Sequence, residues 1–126
     1  MTKITINTDC GNAPKKSFLK DFNIAFATGK AEYIIEHVSE DIVWEIYGDK
    51  SIQGKSQFSL EINAMKNWAA DELILHAIIT HGKEASVNGE IKMGSKTYVF
   101  CDVYRFTTAS STIIKEMHSY VIKING

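Results

Sequence analysis

Residues 98–108 read YVFCDVYRFTT, a nearly unbroken run of aromatic and β-branched side chains with one carboxylate, Asp102, in its middle. Strand periodicity puts Tyr98, Phe100, Asp102, Tyr104 and Phe106 on one face and Val99, Cys101, Val103 and Arg105 on the other. Both faces are largely apolar, which predicts a strand covered on both sides. Asp102 then shares its face with four aromatic rings and needs a partner, a proton or a ligand.

Three more β-rich segments surround this one: DELILHAIITHG (71–82), EASVNGEIKMG (84–94) and TIIKEMHSYVIKI (112–124). The turn signals GKE, GS and ASS separate them, the pattern of an antiparallel meander. Helical periodicity dominates the N-terminal half. Pro14 can open a helix, Phe18, Phe22, Ala25 and Phe26 recur at helical spacing, and Gly29 ends the run. KAEYIIEHV (30–38) repeats the pattern with Ala31, Ile34, Ile35 and Val38. DIVWEIYG (41–48) alternates as a strand, DKSIQG (49–54) turns and returns, and KSQFSLEINAMKNWA (55–69) reads as a third amphipathic helix. Helices followed by a meander make an α+β domain in which helices cover one face of a curved sheet and enclose a pocket. Residues 1–13 read as a loose polar arm, with KITI (3–6) able to form a short edge strand.

A chain of 126 residues supports one domain with its own core. Its 14 basic and 15 acidic residues give a formal net charge of −1, which excludes an electrostatic footprint for nucleic acid or an anionic membrane. Cys10 and Cys101 are far apart and suit free thiols in a reducing, cytoplasmic setting. The N-terminus lacks a secretory apolar core, and no run approaches the ~20 apolar residues of a membrane span. No HxH, HExxH or CxxC spacing occurs, and His76 and His81, five apart on one strand, fall on opposite faces by simple alternation. The expectation is no metal and no cofactor.

The order of elements, together with the helix ending in ATGK (27–30), SEDIVWEIYG (39–48) followed by SIQGKSQF (51–58), and CDVYRF (101–106) followed by MHSYV (117–121), resembles the nuclear transport factor two-like superfamily. That superfamily includes ketosteroid isomerases and SnoaL-like polyketide cyclases, and the resemblance covers about residues 14–124 of a single domain spanning 14–126. It implies a cone-shaped α+β barrel of curved, mostly antiparallel sheet wrapped around N-terminal helices. It also implies a homodimer through the outer sheet face, where Val99, Cys101 and Val103 lie. In the isomerases a strand aspartate with a phenylalanine two residues later lies in the pocket and donates a hydrogen bond as a protonated acid, and DVYRF resembles it at Asp102. The isomerases' helix tyrosine and general-base aspartate align with Phe22 and Ile46, so the resemblance implies a pocket without that steroid chemistry.

Which residues face Asp102 depends on the last turn. A two-residue turn at Ala109 and Ser110 pairs Phe106 with Ile113 and Asp102 with Met117, and points Met117, Ser119 and Val121 inward. A three-residue turn would bring Glu116, His118 and Tyr120 inward instead and give Asp102 an imidazole neighbour. The first register, which the resemblance favours, predicts a pocket lined by Phe22, Trp44, Ile46, Phe100, Met117 and Ser119, with Asp102 and Tyr104 as candidate catalytic residues. Two functions fit: binding of a small apolar molecule, with proton transfer of an isomerase, cyclase or dehydratase type at Asp102, or a non-catalytic interaction module with a filled pocket and a structural Asp102.

Overall fold

The structure, a computed structural model, describes residues 1–125. Strand β1 spans Lys3–Ile6, helix α1 Pro14–Ala27, helix α2 Ala31–Ile35, strand β2 Val38–Ile46, strand β3 Lys50–Gln53 and helix α3 Lys55–Ala64. Strands β4 (Glu72–His81), β5 (Glu84–Met93), β6 (Lys96–Phe106) and β7 (Ile114–Asn125) follow. The class is α+β, as the sequence pattern implies, with the N-terminal helices against a seven-stranded mixed, mostly antiparallel sheet.

Strands β4 to β7 form the expected antiparallel meander. Two parallel pairings extend it, β2 against β7 and β1 against β4, and β3 completes an edge hairpin with β2. The spatial order is β1-β4-β5-β6-β7-β2-β3. The N-terminal arm is therefore held in the sheet over residues 3–6, where KITI takes its edge-strand option and Asn7 N donates to Leu75 O at 2.9 Å.

Helix α1 packs on β4, and α3 packs on β2. Phe18, Leu19, Phe22 and Ala25 are the buried stripe of α1. Phe18 meets Phe106 edge-on at 6.0 Å and Phe22 meets Tyr104 edge-on at 6.2 Å, so the inner face of β6 forms much of the core. The helix ends in a Schellman turn: Lys30 N donates to Ala25 O at 2.9 Å across Gly29, whose φ is 68°. A side chain at Gly29 would also strike the backbone of Asn67 and Trp68.

Four local readings change. Val38, assigned by periodicity to the second helix, opens β2 opposite Ile114, because α2 stops at Ile35. Helix α3 stops at Ala64, and Met65–Ala69 form a turn through Asn67 at φ 68° that returns the chain to β4. In β4 the register shifts between Leu75 and Ala77, leaving His76 as a bulge residue. That bulge breaks the parity that put His76 and His81 on opposite faces; both are exposed, and His76 pairs with Glu90 at 2.7 Å. Finally, the β6–β7 connection is longer than a two-residue turn. Asp102 pairs with Ser119 rather than Met117, and Phe106 with Ile114 rather than Ile113, with a shift between Arg105 and Phe106. A slip of two residues in the strand preserves its facing, so Met117, Ser119 and Val121 still point inward. His118 lies on the outer side, where its Nδ1 bonds the Tyr47 hydroxyl at 2.9 Å.

Candidate ligand-binding site

The inner face of the sheet and α1 enclose a cavity of about 140 Å³. Six of the residues singled out from the sequence line it: Trp44, Ile46, Phe100, Asp102, Met117 and Ser119. Their convergence follows from register. Parallel pairing sets Trp44 beside Met117 and Ile46 beside Ser119, and antiparallel pairing sets Asp102 beside Ser119.

Two expected residues sit elsewhere. Phe22 is fully buried in the core behind the cavity, against Phe18, Phe26 and Tyr104. One residue along α1 turns the side chain by about 100°, so Asn23 and Phe26 reach the cavity in its place. Tyr104 is buried beside Asp102 and acts on it from behind rather than lining the cavity. Asn23, Phe26, Leu73, Ile91, Tyr98 and Val121 complete the lining. Asn23 left a trace in the sequence: it is the polar member of an otherwise apolar stripe, Leu19, Asn23 and Phe26, at helical spacing.

Two chains of hydrogen bonds end on Asp102. From β2, Trp44 Nε1 donates to Ser119 Oγ at 2.9 Å, and the Ser119 hydroxyl, on the residue paired with Asp102 across β6 and β7, is placed to donate to its carboxylate. From α1, Asn23 Nδ2 donates to Leu19 O at 2.9 Å and to the Tyr104 hydroxyl at 3.2 Å, and that hydroxyl donates to Asp102 Oδ2 at 3.3 Å. An indole N–H can only donate, so Ser119 must accept from Trp44 and turn its own proton toward Asp102. Burial pushes the Asp102 pKa from 3.8 up to about 6, and the Ser119 and Tyr104 hydroxyls hold it from rising further by bonding the charged form. Burial, then the Asp102 charge, keeps the Tyr104 hydroxyl protonated well above its ordinary range. Asp102 is only half-buried by surface, and its inward side borders the cavity. At pH 7 a carboxyl of this pKa is about 90% ionised. The site thus presents a carboxylate, where the isomerase resemblance implies a protonated acid.

A larger hollow of about 620 Å³ lies on the outer sheet face among Ile79, Val99, Cys101, Tyr120 and Ile122. His76 borders it, paired with Glu90 at 2.7 Å, but no carboxylate lines it. Among the described residues no group of three His, Cys, Asp or Glu side chains is arranged to hold a metal ion.

No protein-family model matches the sequence, and no curated protein is significantly similar to it. Solved structures do match. An NTF2-like protein of unknown function from Cytophaga hutchinsonii aligns over 86% of this chain and 99% of its own, at TM-score 0.67 and 20% identity. An LEH-like epoxide hydrolase of M. tuberculosis aligns over 86% and 82%, at TM-score 0.70 and 16% identity. A candidate ketosteroid isomerase from Kribbella flavida aligns over 89% and 80%, at TM-score 0.70 and 11% identity. The chain has an NTF2-like fold, the fold it shares with these structures.

Proposed function

We propose that the protein binds a compact, mostly apolar organic molecule in the inner cavity, with Asp102 meeting its polar group, and that the chemistry served there is proton transfer. The observation that carries this reading is a carboxylate held by the Tyr104 hydroxyl from behind and by Ser119 at its side, while its other side faces an apolar cavity. A pKa of about 6 lies close to working pH, where a carboxylate both takes and returns a proton. Tyr104 and Ser119 orient it, and this chemistry calls for no cofactor. A benzene-sized guest fits a cavity of about 150 Å³, so the 140 Å³ here suits a single ring or a short chain. Structures of the same fold that include an LEH-like epoxide hydrolase and a candidate ketosteroid isomerase support an enzymatic role. Ile46 at the position the resemblance gives to the isomerase base argues against steroid isomerisation.

The test is a thermal-shift screen of monocyclic and short-chain compounds against wild type, Asp102→Asn and Ile91→Phe, the last filling the cavity without touching Asp102. Compounds that stabilise wild type and neither variant support the reading. A library that stabilises none of the three, with all of them folded, removes it.

A second reading has its own observation. On the outer face Ile79 and Ile122 are 62% and 63% exposed, and Val103 and Tyr120 beside them are also exposed. With the half-buried Val99 and Cys101 between them, they make an apolar surface that suits pairing of two copies. We propose the homodimer as part of the functional unit. In the alternative, dimerisation is the whole function and the inner cavity stays unused. The free Cys10 and Cys101 thiols support a reducing, cytoplasmic setting for either.

A further inference from the structure

Resting on the ligand-binding reading, a donor-by-donor account of the cavity narrows the class of ligand. The Trp44 indole N–H is given to Ser119, the Ser119 hydroxyl to Asp102, and the Tyr104 hydroxyl to Asp102. Both hydrogens of the Asn23 amide are given to Leu19 O and to Tyr104. Every one of these donors is spent inside the protein. Among the described residues no donor reaches Asn23 Oδ1, although Asn23 is only 5% exposed. No fully occluded side-chain oxygen or nitrogen lacks a partner among the described residues. Asn23 Oδ1 therefore keeps accessible surface, and the space Asn23 borders is the cavity.

What faces the ligand is thus a carboxylate and an amide oxygen, both acceptors. The Tyr98 hydroxyl, farther along the same strand face, can act either way. No lining residue carries positive charge, so the carboxylate is the cavity's single charge. Phe26, Trp44, Tyr98 and Phe100 surround it with aromatic rings, the setting in which a cation gains from ring faces as well as from the acid. A carbonyl or carboxylate ligand would set acceptor against acceptor, whereas a bound ammonium supplies the missing donors and the missing charge.

We propose that the cavity takes a compact organic ammonium ion, a protonated primary amine on a single ring or short chain, held by Asp102 and Asn23 Oδ1 with its apolar body against Phe26, Trp44 and Phe100. The groups packed around Asp102 are Asn23 from α1, Trp44 from β2, Val87 from β5, Tyr98 and Tyr104 from β6, and Met117 and Ser119 from β7. The titratable groups coupled to it are the Cys101 thiol, next along β6, and the Tyr104 hydroxyl, both raised by burial and by the Asp102 charge, so Asp102 sets the pH dependence between pH 5 and pH 7.5.

The experiment uses three compounds of one shape, cyclohexylamine, cyclohexanol and cyclohexanone, with binding to the full chain followed by NMR or calorimetry at pH 7.5 and pH 5. The expected order is amine, then alcohol, then ketone, with the amine about tenfold tighter than the ketone at pH 7.5. That preference should shrink at pH 5 and vanish in Asp102→Asn. Asn23→Asp, which keeps an acceptor oxygen, should retain amine binding, while Asn23→Leu weakens it. Ketone binding equal to or tighter than amine binding overturns the ammonium assignment and leaves the ligand-binding reading standing. An amine that binds Asp102→Asn as well as wild type also overturns it. Failure of all three compounds to bind, in a folded protein whose Ile91→Phe variant behaves identically, removes both.

Discussion

Asp102 is a group whose pKa the fold raises, from 3.8 to about 6, chiefly by burial. A carboxyl with a raised folded pKa stabilises the protein while protonated, and that contribution is lost as pH rises through the folded value. Converted, the rise amounts to about 3 kcal/mol, present near pH 4 and gone above pH 7. Urea unfolding of wild type and Asp102→Asn should therefore show curves that diverge across that window, with wild type losing stability relative to the variant as pH increases. The two hydroxyls act in the opposite direction. Ser119→Ala or Tyr104→Phe removes a donor to the charged form, so each should move the Asp102 pKa above 6 in a carboxyl NMR titration. The unusual position of Asp102 was legible from alternation in residues 98–106, because a charged side chain on an aromatic face has few destinations. Tyr104 was identified, but its place behind the acid was not. The Phe22-to-Asn23 exchange was hidden because neighbouring helix positions differ by about 100° and stripe spacing does not say which edge of the stripe faces the cavity.

At the level of elements, the meander and the helix order were readable because each has its own period. The parallel partners were not: nothing along β2 or β1 says that it will lie beside β7 or β4, since that pairing is decided by how the helices return the chain. Bulges were equally silent. The one in β4 sits opposite Gly89, where a Cβ would collide with the Ile74 carbonyl. Gly89→Ala should therefore cost about 1–3 kcal/mol in urea unfolding even though alanine suits a strand better than glycine. A neutral or stabilising outcome would mean that β4 and β5 are not so closely apposed. The β6–β7 hairpin teaches a related lesson. Its turn was misread, yet its facing survived because the slip was an even number of residues. That is why Met117 and Ser119 were correctly placed while their partners were not.

For the whole molecule, the sheet separates two surfaces of different character. The inner one encloses the cavity, and the outer one exposes Ile79, Val103, Tyr120 and Ile122. If the outer face joins two copies, analytical ultracentrifugation should find a dimer at micromolar concentration, and Ile122→Glu should shift it to monomer with its circular dichroism unchanged. Wild type that sediments as a monomer throughout would remove the homodimer proposal and leave the inner site untouched. The sequence marked both faces through one strand, with Phe100, Asp102 and Tyr104 turned one way and Val99, Cys101 and Val103 the other. It could not give the size of the cavity, which depends on how α1 and the curved sheet approach each other.

A ligand in that cavity meets the protein at the Asp102 carboxylate, if the proposed function holds. The most direct test is a carbon-13 NMR titration of the Asp102 side-chain carboxyl, assigned by its loss in Asp102→Asn, with and without cyclohexylamine. The midpoint should lie near 6 in the free protein, as burial dictates, and move clearly downward when the amine binds, because a bound cation favours the charged acid. A midpoint near the ordinary 3.8, or one that small amines, alcohols and ketones all leave unmoved, would contradict the proposed function and make Asp102 a structural anchor of the sheet.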